Sequence, residues 1–129
     1  MDYLLNCNKH YGLIVQPDSG SADYNYHEQL KTNILILDHH DIEEGQKISE
    51  YAVVINNQIS PDYKNKDLTG AGVTWQFCRY IDQMLNTNFA NELIDLAALG
   101  ICGDMGSILN LENRYIMQTG FNNITNFFF

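Results

Sequence analysis

Apolar positions along this chain change their period about halfway. Before Leu68 they come in short continuous runs separated by polar loops; from Leu68 onward they recur every three or four residues. The run Gly12-Leu13-Ile14-Val15-Gln16 predicts a short strand ended by Pro17, since proline cannot continue a central ladder. Asp18-Ser19-Gly20-Ser21 reads as a tight loop, with Ser21 as N-cap of a helix over about 22–31. Ala22, Tyr26 and Leu30 lie four apart there and make one narrow apolar stripe. Ile34-Leu35-Ile36-Leu37 is a second, buried strand. Strand, helix and strand in so short a span form a right-handed βαβ unit with parallel strands.

Residues 41–50 are polar and read as loop, and Tyr51-Ala52-Val53-Val54-Ile55 is a third strand. Residues 56–67 form another loop. Thr74, Phe77, Cys78, Ile81 and Leu85 then follow helical spacing over about 71–86. A second helix over about 90–101 carries Leu93, Ile94, Ala97, Ala98 and Ile101 on one broad face. Asn110 caps a last helix over about 111–119, with Glu112 in its first turn. The predicted class is α/β: a short parallel sheet of two or three strands with flanking helices. Such a sheet is thin for a doubly wound fold, so either a partner covers its edges or the chain is a fragment.

Composition narrows the function. At 129 residues the chain is one domain with a modest core. It contains no membrane-span pattern and no signal peptide at its start. Three cysteines without framework spacing predict reduced thiols in a cytoplasm, with Cys102 a small buried hydrophobe. In that compartment the Asn123-Ile124-Thr125 sequon carries no meaning. The net charge of −9, from 7 Lys and Arg against 16 Asp and Glu, is the wrong sign for a broad nucleic-acid surface. It leaves room for a phosphate substrate held at metal ions, which reverse the sign locally.

Candidate chemistry gathers at the strand ends. Asp18 follows the first strand and Asp38-His39-His40 closes the second; in a parallel pair these ends are neighbours about 4.8 Å apart. Open α/β sheets bind ligands at the carboxyl ends of their strands, and carboxylate plus imidazole suits Mn, Zn or Fe. Adjacent side chains diverge, so one histidine goes to a metal and the other either to substrate or to supporting the metal's ligands, while Asp38 points inward to orient an imidazole or a backbone group. Asp104, in a glycine-rich turn after an apolar helix, is a third carboxylate for the same site. Thr69-Gly70-Ala71-Gly72 opens a helix where backbone N–H groups either bind an anion or permit close packing. Arg114 either grips phosphate or ties down Glu112 and the Asp104 loop.

Four stretches carry a resemblance: Leu13 to Ser21 (LIVQPDSGS), Ile34 to Asp41 (ILILDHHD), Asp67 to Phe77 (DLTGAGVTWQF) and Leu96 to Arg114 (LAALGICGDMGSILNLENR). In this order the chain resembles the DHH phosphoesterase family, and within it the RecJ-type single-strand exonucleases, with residues 1–129 as a partial catalytic domain. The resemblance implies a centre of Mn²⁺, with Mg²⁺ as substitute, that hydrolyses single-stranded DNA 5′ to 3′. It assigns Asp18, His39 and Asp104 to metal, His40 and Asp38 to catalysis, and His40, Gly70, Gly72 and Arg114 to the substrate phosphate. Short-oligonucleotide and cyclic-dinucleotide phosphodiesterases of the same family are the alternatives. The family's first motif, an Asp-x-Asp after an earlier strand, has no counterpart, because Asp2 is the sole carboxylate before Leu13. The family's C-terminal substrate-binding domain is likewise absent, in keeping with the abrupt Phe127-Phe128-Phe129. A partner chain supplying the first motif, or a non-catalytic interaction module, follows as an expectation.

Overall fold

A computed structural model describes residues 2–7 and 9–124; Thr125 of the sequon and Phe127-Phe128-Phe129 lie outside them. Three strands, β1 (Ile14–Pro17), β2 (Ile34–Asp38) and β3 (Ala52–Asn56), form one parallel sheet in the order β1-β2-β3 among the described residues. The register aligns Ile14 with Ile34 and Pro17 with Leu37 on one side, and Ile34 with Ala52 and Asp38 with Asn56 on the other. The central position of β2 explains its unbroken apolar run: Ile34, Ile36, Leu37 and Asp38 are all buried.

Pro17 is the last residue of β1, which ends there as expected. The Asp18 N–H donates to Leu37 O at 2.8 Å, so alternation puts the missing N–H of Pro17 on the side away from β2. The helix that follows, α2 (Tyr24–Leu30), is shorter than its pattern and begins after Asp23, whose side chain makes no capping bond. Ser21 is not its cap. The Ser21 N–H and hydroxyl are both taken by residues at the ends of β2 and β3, and those tertiary bonds displace the local one. Nor does the stripe Ala22, Tyr26, Leu30 form the buried face: the helix buries His27 instead, at 2% exposure. A short helix, α1 (Asp2–Asn6), packs against α2 and has no apolar period to announce it.

The second half is helical as its period requires. The 16-residue α3 (Gly70–Leu85) starts at Thr69, whose Oγ1 accepts from the Gly72 N–H. It buries Val73 and Trp75, while Ile81 and Leu85 of the expected face are exposed, because neighbours lie on two sides of it. The sheet takes one arc, and a 3₁₀ turn (Phe89–Leu93) with α4 (Ile94–Gly103) takes another. Trp75 Nε1 donates to Ala90 O at 2.8 Å, which satisfies the indole as it enters the core. Asn110 does cap α5 (Leu111–Ile124), its Oδ1 accepting from the Glu112 N–H at 3.0 Å. The helix runs past its expected end through Gly120, which here permits contact with Ala98 and the Ile94 carbonyl rather than terminating the helix. Leu37, Leu68, Val73, Trp75, Ile94, Ala98, Ile101 and Ile116 join β2, α3, α4 and α5 in one core. Cys102 is exposed, not buried, since it faces away from that core at the end of α4. No helix among the described residues is long and apolar enough to cross a membrane.

Candidate metal centre

The sheet brings the ends of β1 and β2 together as parallel pairing requires. Asp18 takes a left-handed backbone (φ 60°) immediately after β1, a conformation aspartate tolerates better than most residues. Its Oδ1 stands 3.3 Å from His39 Nε2. From the other side Asp104, at the C-terminal end of α4, brings Oδ2 to 3.7 Å from the same nitrogen. One imidazole nitrogen therefore sits between two exposed or half-exposed carboxylates, drawn from three elements far apart in sequence. Asp18, His39 and His40 also each offer a donor atom within 4.8 Å of one another. This mixed oxygen and nitrogen set fits a divalent first-row transition ion.

Asp38 faces inward, 1% exposed, and acts as an acceptor hub. Its Oδ1 accepts from His40 Nδ1 at 2.7 Å and from the backbone N–H groups of His39 (2.8 Å) and His40 (3.3 Å); Oδ2 accepts from the Ser21 N–H at 3.0 Å. Burial works against its charge, but the bonds from His40, Ser21 and His39 outweigh that and hold the carboxyl well below the usual carboxylate range. The same bond to Asp38 raises the pKa of His40, against slight desolvation, with Asp38, Asp18 and Asp104 adding in the same sense. Since an ionised carboxylate only accepts, His40 Nδ1 carries a proton and Nε2 is the atom left for anything outside. The His40 side chain is 61% exposed.

A second layer of side-chain amides holds this arrangement, and sequence reasoning missed it. Asn56, at the end of β3, donates through Nδ2 to Ser21 Oγ and to His40 O, both at 2.9 Å. Asp38, Ser21, Asn56 and His40 thus close a ring of hydrogen bonds across the ends of all three strands. Gln58 Nε2 holds His39 O at 3.1 Å. The only signal in the sequence was an asparagine following a β-branched strand, which is as ordinary as a turn former.

The start of α3 abuts the centre. A Cβ on Gly70 would overlap Asp18 Oδ1, and one on Gly72 would overlap the Leu68 side chain. Both glycines are buried, and Thr69 Oγ1 already accepts from the Gly72 N–H, so close packing is what the geometry displays there. Arg114 donates from Nε to Ile108 O at 3.2 Å, which ties down the loop after Asp104. It is not tied to Glu112, whose carboxylate instead accepts from Tyr63 Oη (2.7 Å), Asn65 Nδ2 (2.8 Å) and Gln76 Nε2. A cleft of about 260 Å³ beside His39 is lined by Asp67, Thr69, Asp104 and Ser107. Lys66 also lines it, but its ammonium is engaged by the carbonyls of Asn57, Gln58 and Ser60. An apolar cavity of about 290 Å³ lies on the far side of Asp18, lined by Pro17, Thr74, Trp75 and Leu96 among others.

No family model matches the chain. Over 115 residues it is 44% identical to a putative SPbeta prophage-derived single-strand DNA-specific exonuclease, YorK, of Bacillus subtilis (strain 168). It is equally similar to the putative single-strand DNA-specific exonuclease yorK of Bacillus phage SPbeta. Each alignment takes in 87% of this chain and 19% of the relative, so the chain spans about a fifth of the relatives' length. Among solved structures it superposes on exonuclease RecJ bound to manganese, with a TM-score of 0.83 and 24% identity over 98% of this chain and 32% of that one. RecJ from Thermus thermophilus, in complex with Mn²⁺, gives 0.80 and 23% over 97% and 18%. These two likenesses show the fold.

Proposed function

We propose that this chain is a RecJ-like domain of the DHH phosphoesterase family and that it serves metal-dependent hydrolysis of phosphodiester bonds in single-stranded DNA, digesting 5′ to 3′. The observation that carries this reading is His39 Nε2 flanked by Asp18 and Asp104 at 3.3 and 3.7 Å, at the carboxyl end of a parallel sheet. The naming of two 44%-identical relatives as single-strand DNA-specific exonucleases supports the substrate class. Asp18, His39 and Asp104 hold the ion, Mn²⁺ with Mg²⁺ as substitute. When bound, it supplies Lewis-acid polarisation of the phosphodiester and acidification of the attacking water.

The chain's own residues do the positioning. Asp38 fixes the His40 ring through Nδ1 and favours its protonated form, so Nε2 presents a donor to a phosphate oxygen. Gly70 leaves the space in which the Asp18 carboxylate stands. With a net charge of −9, the chain gains its hold on DNA at this centre rather than over a basic surface. An Asp-x-Asp strand outside these 129 residues, such as one from a partner chain, would supply ligands for a second ion.

The test is calorimetric titration of the metal-free chain with Mn²⁺, followed by assay on a labelled single-stranded oligonucleotide and its duplex. One bound ion, lost in Asp18→Ala and His39→Ala, with Mn²⁺-dependent release of nucleotides from the single strand, is the expected result. Metal binding without turnover by the chain alone supports the need for the added strand. Absence of Mn²⁺ binding, or hydrolysis that persists in a chelator, overturns the reading.

A further inference from the structure

We propose that Asn113 is the positioning residue that sets where Asp104 stands, an inference resting on the metal-centre reading above. Asn113 lies in the first turn of α5 with its side chain fully buried. Both hydrogens of its Nδ2 are used: one goes to Asp67 O and the other to Ser107 O, each at 3.0 Å. Its Oδ1 accepts from Asn65 Nδ2 at 2.9 Å, which fixes which way round the amide sits.

The two carbonyls belong to loops on opposite approaches to the centre. Asp67 is in the segment leading through Thr69 to Gly70, which packs on Asp18. Ser107 is in the segment that leaves α4 through Asp104. That second segment turns sharply at Met105, which is left-handed (φ 52°), and presses Gly106 between Ile101 and Thr69. Its first residues are held by helix-end bonds, Asp104 N–H to Gly100 O (3.0 Å) and Gly106 N–H to Ile101 O (2.8 Å). Beyond them, Asn113 and its neighbour Arg114 hold the loop from α5, through Ser107 O and Ile108 O. One buried amide thus ties the loop bearing Asp104 to the loop bearing the Asp18 contact. A neutral donor to two carbonyls is required there, since an aspartate in its place has no hydrogen to give and an alanine leaves both oxygens unpaired.

A residue that only stabilised α5 would act independently of Asp104, and a double-mutant cycle on Mn²⁺ affinity separates the two roles. Calorimetry on the whole chain would compare the parent with Asp104→Ala, Asn113→Ala and the double variant, with circular dichroism confirming the fold. Expected is a weakening of about tenfold or more in Asn113→Ala, as for other residues that orient metal ligands, and no further loss when it is added to Asp104→Ala. Asn65→Ala frees the Asn113 amide without removing it, and serves if Asn113→Ala does not fold; it shows a smaller loss, again absent in the Asp104→Ala background. Unchanged affinity in folded Asn113→Ala, or losses that simply add, overturn the proposal. A parent chain that binds no Mn²⁺, or an Asp104→Ala chain that binds it as well as the parent, overturns the metal reading itself and is told apart by those two measurements alone.

Discussion

Asp18 Oδ1 stands where a side chain at position 70 would begin, so Gly70 and Asp18 occupy one space between them. Their contact makes the first residue of α3 part of the candidate centre although it has no functional group. Gly70→Ala forces either the helix start or the Asp18 carboxylate to move. The expected cost in stability is about 1–3 kcal/mol, as for other overpacked sites. Mn²⁺ affinity, measured by calorimetry, falls by roughly tenfold or more because Asp18 is the more easily displaced of the two. A Gly70→Ala chain binding Mn²⁺ like the parent would show that the carboxylate does not hold the ion from this position.

Asp38→Asn keeps the shape at the end of β2 but offers one acceptor atom where the structure uses two, so a buried N–H is left facing an NH₂ group. The loss is about 2 kcal/mol or more at neutral pH, or roughly 7 °C in Tm for a chain of this size. Its pH dependence has a definite sign. The native carboxyl ionises below its ordinary value of 3.8, so its contribution is present above that pH and disappears as pH falls through the native value. Thermal melts at pH 7 and pH 3 should show the gap between parent and variant shrinking in acid; a constant gap counts against Asp38 as the hub.

His27 works at milder pH. Burial lowers its pKa below the ordinary 6.5, and its Nε2 is enclosed without a hydrogen-bond partner among the described residues. The unfolded chain therefore binds more protons than the native one just below pH 6.5, and stability falls as pH drops through that region. His27→Phe, which fills the site without a titrating nitrogen, should lose less stability than the parent between pH 7.5 and 5.5. Equal losses in both, read by thermal melts, would rule His27 out as the source.

Mn²⁺ should raise the melting temperature of the parent, and a chelator should reverse the rise. At a hundredfold excess over the dissociation constant the stabilisation is about 2.7 kcal/mol. His39→Ala removes the nitrogen that Asp18 and Asp104 share and should abolish the shift, whereas a substitution at the exposed Cys102 should leave it intact.

The apolar run of β2 and the polar triplet after it were legible because a central parallel strand and a strand-end site each leave a local pattern. Asp18 and Asp104 were legible for the same reason, as charges placed where an apolar element stops. What the chain hid were residues that act through backbone carbonyls. Asn56, Gln58 and Asn113 lie in no period and follow no spacing, and each has a partner distant in sequence. Ser21 misled because a hydroxyl before a helix is a good cap until a buried carboxylate and amide compete for it.

The register of the sheet has a consequence for how the chain must fold. Asp38 reaches Ser21, and Asn56 reaches Ser21 and His40, only when Pro17 lies opposite Leu37 and Asn56 opposite Asp38. Slipping β2 by one residue would turn its buried side chains to the other face and send Asp38 away from the ring. Parallel strands cannot be joined by a tight hairpin, so each pairing closes a long loop before it gains anything in return. The hydrogen-bond ring therefore acts as a proofreader: a misaligned sheet leaves a buried carboxylate unpaired and reopens, and only the correct alignment retains both fold and site.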